Sequence, residues 1–261
     1  MGMRVFRFLT PAPRGTQHDV TELELSDGRR VEVRRVRDSR ARRLKLSVDE
    51  RGARLTLPLR ASLSSGERFL AAQREWLAAQ LALCMAEGVS QPLRRGETAE
   101  LPLRGQCLPL HWHTGRYTRL SRADDGLHFH VPPRAGDEAM RRTLRAFYES
   151  EARADLGRWL PRYLPDLPRP PARIRFKMMS SQWGSLAPDA SVSLDLSLVL
   201  GRPQAFEYVL VHELCHLIRA DHSPAFWREV EARCPDWRAE RDYFASEGRR
   251  LKACLRALMS A

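Results

Sequence analysis

The sequence predicts an α+β protein in which a β-rich region precedes a mainly helical one. Short stretches that alternate apolar and polar residues, as strands do, fall between residues 20 and 131. Apolar residues recur with helical spacing over much of residues 138–258. The segment 132–137 lies between them and contains two prolines and a glycine, which is typical of a loop. We therefore expect one region at 1–135 and a second at 136–261.

The β-rich region is expected to contain two groups of strands with one helix between them. The first group is 31–33, 44–48 and 55–57, with turns at Asp27-Gly28 and Arg51-Gly52. The helix is expected at 64–85, where an apolar face is formed by Phe69, Leu70, Trp76, Leu77 and Leu81. The second group is 99–103, 108–113 and 127–131, with turns at Arg104-Gly105 and Asp125-Gly126.

The second region is expected to begin with a long helix at 138–160, which the proline-rich stretch 164–171 ends. Two strands should follow, at 173–179 and 191–198. A helix around His212 comes next, and then helices at 224–233 and 237–258.

The strongest chemical signal is the pentapeptide His212-Glu213-Leu214-Cys215-His216. Positions four apart lie one turn apart on the same helix face, so His212 and His216 can point both imidazoles at one metal ion. Glu213 lies about 100° around the helix and can reach a water at that metal without being a ligand. The flanking residues are mostly apolar, which predicts a buried helix, where ionisable side chains are costly unless paired or bound to a metal. We therefore expect a metal site, with zinc as the metal.

A third ligand is needed to complete a site that keeps one coordination position open, and His222 is the best-placed candidate. Ser223-Pro224 is typical of an N-cap followed by proline in the first helical turn, so His222 would lie in a short connection between two helices. The alternatives are oxygen ligands: Asp221, Glu229 and Glu231.

These residues resemble a known family, the YgjP-like metallopeptidases, which are zincin-type proteins related in their core to the SprT-like and Spartan proteases. The resemblance is carried by Trp183-Gly184-Ser185, by residues 192–196, by the pentapeptide and by His222-Ser223-Pro224-Ala225-Phe226-Trp227. It implies a zincin-like metallopeptidase core, three zinc-binding histidines at His212, His216 and His222, and a catalytic glutamate at Glu213. The chain departs from the family pattern at Gln182 and Leu186, which flank Trp-Gly-Ser, and at Asp195.

A zinc-dependent peptidase is therefore the first functional hypothesis, with Glu213 as general base towards the attacking water. By analogy with other zincins, the strand around 182–186 is expected to be the edge on which an extended peptide substrate lies. An oxyanion stabiliser is also required, and four side chains are candidates: Arg175, Arg219, Arg238 and Tyr243.

The charge of the chain suggests other partners. The formal net charge is +12, and the segment 29–45 holds nine basic and two acidic residues. This segment could contact nucleic acid or a nucleotide, or it could be a solvated strand face. A nucleoside triphosphate pyrophosphohydrolase and a nucleic-acid-associated protein therefore remain alternative functions.

Five cysteines are scattered singly, without the paired spacing of a disulfide framework: Cys84, Cys107, Cys215, Cys234 and Cys254. This pattern predicts a reduced, cytoplasmic protein. Cys215, inside the pentapeptide, is expected to be a buried packing residue rather than a ligand. No apolar run approaches the length of a membrane span, so no membrane partner is expected.

Two His-x-His pairs lie in the second strand group, His111 with His113 and His128 with His130. Residues two apart share a strand face, so four histidines together could bind a metal. A polar strand face is the favoured interpretation, since no supporting carboxylate or cysteine is evident nearby.

Overall fold

Two structural units divide the chain, one at residues 1–89 and one at 90–261. The computed structural model describes residues 18–49, 52–86 and 91–260. Each unit contains its own cluster of buried apolar side chains.

The first unit contains a four-stranded sheet. Its strands are β1 (His18–Glu24), β2 (Arg30–Asp38), β3 (Lys45–Asp49) and β4 (Gly52–Pro58), in the order β1-β2-β4-β3. The predicted turn at Gly28 joins β1 to β2, and its φ of 81° is one that glycine adopts without strain. The predicted turn at Arg51 lies outside the described residues. In β4 the alternating residues Ala53, Leu55 and Leu57 are buried, as the alternating pattern predicts.

Two helices, α1 (Leu63–Ala72) and α2 (Arg74–Ala86), follow this sheet, so the prediction of one continuous helix at 64–85 is wrong. The chain tightens at Gln73, whose N–H bonds to the carbonyl of Leu70 three residues earlier. After this break Leu77 is fully buried, whereas Trp76, predicted on the apolar face, is 41% exposed.

Arginines of the basic segment 29–45 are engaged within this unit. Arg37 on β2 donates to the carbonyls of Leu59 and Ala61, each at 2.9 Å. Arg35 on the same strand pairs with Asp19 of β1. These contacts stabilise the fold of the unit, and contact with nucleic acid stays a prediction.

The second unit begins with another four-stranded sheet. Its strands are β5 (Glu100–Leu103), β6 (Gln106–Thr114), β7 (Arg119–Ala123) and β8 (Gly126–Val131), in the order β5-β6-β8-β7. β7 was not expected from the sequence, because Leu120 is its only buried residue and arginines stand at 119 and 122. The other three strands lie where the alternating pattern predicts them.

Helix α3 (Asp137–Tyr163) and a three-stranded sheet come next. The sheet has the order β10-β11-β9, with β9 at Arg173–Lys177, β10 at Gly184–Leu186 and β11 at Ser191–Asp195. The strand predicted at 191–198 ends early, because Asp195 caps a 3₁₀-helix, Leu196–Leu200, by accepting from the N–H of Ser197. Three helices follow: α4 (Pro203–Cys215), α5 (Pro224–Arg233) and α6 (Trp237–Met259).

The structure divides the chain between 89 and 90, whereas the sequence predicts a boundary between 135 and 136. Leu101 and Phe129 of the sheet β5–β8 belong to the same buried cluster as Leu144 of α3 and Leu210 of α4. The turn after β5 also bonds to the 3₁₀-helix, since the N–H of Arg104 donates to the carbonyl of Val199 at 2.9 Å. The sheet β5–β8 is therefore part of the same core as the pentapeptide helix.

A buried ion pair ties this sheet to α3. Arg104 donates from Nε to both carboxylate oxygens of Asp155, at 3.0 and 3.1 Å, and from Nη1 to Glu151 at 2.6 Å. The side chain of Asp155 is 1% exposed, and Arg158, one turn further along α3, pairs with the same carboxylate.

Arg104→Met is expected to lower the free energy of unfolding of the second unit by about 2–3 kcal/mol, because it removes one of the two arginine partners of a buried carboxylate. Urea titration followed by circular dichroism measures this change. Arg145→Met is the matched control, since Arg145 makes an exposed pair with Glu149 that is worth only about 0.5 kcal/mol. Equal effects of the two substitutions would contradict the role given to Arg104.

Among the described residues, no helix combines the length and apolar character that crossing a membrane requires.

Candidate metal centre

Helix α4 carries the first part of the pentapeptide, and His216 is its C-terminal cap. Pro203 begins the helix at its first position, where a missing N–H costs nothing. His212 and Glu213 lie in the last turn, and the buried positions on all sides match the apolar pattern around them. His216 Nδ1 lies 3.1 Å from the carbonyl oxygen of Arg219, so Nδ1 carries the proton and Nε2 is left with its lone pair.

His222 lies immediately before α5, as the capping pattern predicts. Ser223 is the N-cap, its Oγ accepts from the N–H of Phe226 at 3.4 Å, and Pro224 follows at the first helical position. This cap turns the chain so that His222 faces α4. Its Nε2 lies 3.1 Å from Nε2 of His212.

The three histidines form one cluster, in which a ring nitrogen from each lies within 4.8 Å of the others. Two imidazole nitrogens bound to one tetrahedral zinc ion lie about 3.3 Å apart, given Zn–N bonds of about 2.0–2.1 Å. The 3.1 Å separation between His212 and His222 is close to that value. Three imidazoles are also a donor set that zinc takes in open sites. The residues therefore fit a zinc ion.

Phe226 packs against all three imidazoles. Its ring centroid lies 5.0 Å from that of His212, 4.5 Å from that of His216 and 4.9 Å from that of His222. Phe226 is fully buried, and its contacts restrict the orientations of the three imidazole rings. This restriction matters for His212, whose buried Nδ1 has no hydrogen-bond partner among the described residues. The sequence contained Phe226 in the family motif but gave no sign of this role.

The other candidate ligands lie outside the cluster. Asp221 accepts from the backbone N–H of Ser223. Glu229 and Glu231 pair with arginines, Glu229 with Arg233 at 2.7 Å and Glu231 with Arg238 at 2.6 Å.

Cys215 is fully buried, and burial raises the pKa of its thiol to about 12. Both observations agree with the expectation that Cys215 is a buried packing residue.

Glu213 is 5% exposed and lines the same cavity as the three histidines. Burial raises the pKa of its carboxyl from 4.5 to about 7. Gly184 of β10 lies against it: a Cβ atom at this glycine would be 2.5 Å from Oε1 of Glu213. Glycine at 184 therefore makes the space in which the carboxylate lies.

The buried position of Glu213 predicts a pH-dependent stability in the metal-free protein. Because its folded-state pKa lies above the unfolded value, the stabilisation is complete below about pH 4.5 and is lost as the pH rises through 7. Glutamine does not titrate. Between about pH 4.5 and 8, wild type should therefore lose up to about 3 kcal/mol of unfolding free energy relative to Glu213→Gln. Urea titrations in chelator check this, and a difference that does not change with pH would contradict it.

The cavity has a volume of about 730 Å³ and lies between α4 and the segment 182–188. The four predicted oxyanion stabilisers do not line it: Arg175, Arg219, Arg238 and Tyr243. Arg238 instead pairs with Glu231, and the hydroxyl of Tyr243 accepts from the N–H of Arg202. Tyr208 and Arg241 do line the cavity.

Tyr208 is one turn before His212 on α4, and their rings meet edge to face with centroids 6.0 Å apart. Burial raises the pKa of its hydroxyl to about 12, so the group keeps its proton at neutral pH and can donate. The spacing of four residues was the signal in the sequence that could have found it.

A buried ion pair anchors the segment that leads into β10. Lys252 Nζ lies 2.8 Å from Oδ2 of Asp195 and donates to the carbonyls of Met179 and Gln182 at 3.0 and 2.9 Å. Nζ also lies 4.2 Å from the ring centroid of Trp183. Sequence reasoning missed this contact, because 57 residues separate its two charged partners.

A comparison with curated protein sequences gave no match. Among solved structures, the chain is similar to the metallopeptidase zymogen of Pyrococcus abyssi, abylysin, with 22% identity and a TM-score of 0.27. The alignment covers 40% of this chain and 95% of that one. The family model of the YgjP-like metallopeptidase domain matches residues 42–247, which is well over half of the chain. This match confirms the resemblance carried by the motifs around His212 and His222, and the chain belongs to the YgjP-like metallopeptidase family.

Proposed function

We propose that this protein is a zinc-dependent peptidase with a zincin-like core. His212, His216 and His222 hold the zinc, and Glu213 is the general base. The observation that carries the proposal is the convergence of three imidazoles beside a buried carboxylate in a cavity of about 730 Å³.

Zinc, when bound, supplies a Lewis acid that polarises the scissile carbonyl and acidifies a water. Glu213 takes a proton from the attacking water and later gives it to the leaving nitrogen. Its buried setting favours this role, because a raised pKa brings the carboxylate closer to a value suited to accepting and releasing a proton near neutral pH. Phe226 and the bond from His216 to Arg219 keep the imidazoles in place meanwhile.

The substrate is proposed to be an extended peptide lying along β10. This strand is at one edge of its sheet and pairs with β11 on its other side. Its residues Gly184, Ser185 and Leu186 line the cavity, so a peptide added as a further strand would lie next to Glu213.

Cleavage of a casein or quenched-peptide panel tests this function. The expected result is zinc-dependent peptide cleavage that a chelator removes and added zinc restores. Release of pyrophosphate from nucleoside triphosphates, without peptide cleavage, would replace the proposal with the pyrophosphohydrolase alternative.

Tyr208→Phe is expected to lower kcat about tenfold with little change in KM, because it removes a hydroxyl donor that lines the cavity while Arg241 remains. Steady-state kinetics on one peptide measures this. An unchanged kcat would exclude Tyr208 as a stabiliser of the developing oxyanion.

A further inference from the structure

Four histidines line the polar face of the sheet β5–β8. β6 and β8 are parallel neighbours, and their register places His111 opposite His128 and His113 opposite His130. The alternate residues of β8, among them Phe129, point into the core. The histidine rings therefore form a continuous group on the other face, with centroid separations of 4.8–5.1 Å.

A carboxylate lies beside two of these four histidines, contrary to the expectation that none lies nearby. Asp125, in the turn between β7 and β8, places Oδ1 at 2.8 Å from Nε2 of His128. Its Oδ2 lies 3.9 Å from Nε2 of His111, and its backbone carbonyl lies 3.2 Å from the same nitrogen. One donor atom from each of the three residues lies within 4.8 Å of the other two.

The turn that carries Asp125 is held firmly against β6. Gly126 has a φ of 138°, and a Cβ atom there would be 2.6 Å from the carbonyl oxygen of Pro109. Only glycine allows this close approach without strain. The backbone of this turn therefore lies close to β6, which brings Asp125 near His111.

His113 supports His128 from the other side. Its Nε2 lies 2.8 Å from Nδ1 of His128. In the metal-free protein Nε2–H of His128 donates to Oδ1 of Asp125 at 2.8 Å; a metal ion bound at Nε2 would shift that proton to Nδ1, which would then donate to His113.

We propose that His111 Nε2, His128 Nε2 and the Asp125 carboxylate form a second metal site, separate from the candidate catalytic centre. Two imidazoles and one carboxylate suit zinc and neighbouring borderline metals such as nickel, whereas calcium and magnesium prefer oxygen ligands alone. None of the three residues lines the cavity next to Glu213. The side chains of His111 and Asp125 are 43% and 64% exposed, so solvent completes the coordination and the affinity is expected to be micromolar. A bound ion would tie the β7–β8 turn to β6.

Zinc titration of the untagged 261-residue protein by equilibrium dialysis tests the site. Wild type is expected to bind a tight first equivalent and a weaker second one. Asp125→Asn and His128→Gln should each weaken the second equivalent at least tenfold and leave the first unchanged. His130→Gln is the matched control, since His130 belongs to the same face but not to the proposed ligand set, and it should leave both equivalents intact.

A second measurement isolates the site: the variant in which His212, His216 and His222 are all alanine should still bind one equivalent of zinc. Absence of a second equivalent in wild type would overturn the inference, and so would a second equivalent that survives both Asp125→Asn and His128→Gln. Loss of the first equivalent alone would count against the proposed function and not against this site.

Discussion

Glu213→Gln is expected to lower kcat for peptide cleavage by about 10³-fold while zinc stays bound. Glutamine has nearly the same shape as glutamate, so the packing against Gly184 is retained. It cannot take a proton from water, and loss of a general base costs about 10²–10⁴ in rate. Glu213 is not one of the three proposed zinc ligands, so the zinc content should not change.

Two measurements are needed together, steady-state kinetics and zinc content on the same preparation. Glu207→Gln is the matched control, since Glu207 lies on the same helix but pairs with Arg162 and Tyr163 instead of facing the cavity. It should keep most of the activity. A Glu213→Gln protein that retains more than about a tenth of the wild-type kcat would rule out Glu213 as the general base.

Gly184→Ala is expected to lower kcat by at least about 100-fold, also without loss of zinc. The new methyl group would lie 2.5 Å from Oε1 and 2.7 Å from the carboxyl carbon of Glu213, so the carboxylate or β10 must move. A displacement of about 1 Å at a reacting group costs on the order of 10² in rate.

Gly157→Ala in α3 is the control, since a Cβ atom there meets nothing within 4 Å. It should leave kcat unchanged and slightly stabilise the helix. If Gly184→Ala were as active as Gly157→Ala, the contact between β10 and Glu213 would have no part in catalysis.

Features encoded by short-range spacing could be predicted from the sequence. The turn of a helix brings residues four apart to one face, which is why His212 and His216 could be paired without a structure. The N-cap at Ser223 and the proline after it are also local signals, and they predicted the start of α5 and the connection that holds His222.

Contacts between residues far apart in sequence could not be predicted in this way. The pattern around Gly184 does not show that Glu213, 29 positions later, fills the space beside it. The turn at Asp125 was predicted, yet the parallel pairing of β6 with β8 is what brings His111 beside it. The core that the sheet β5–β8 shares with α4 could not be predicted for the same reason, because the loop at 132–137 breaks the periodicity but not that core.

The measurement that tests the central claim most directly is the zinc content of the purified protein after dialysis against a weak chelator. Wild type and Glu213→Gln should each retain one equivalent of zinc, and His212→Ala should retain little, because it removes a ligand from a three-histidine site. A wild-type protein that holds no zinc and takes none up when zinc is added would contradict the account.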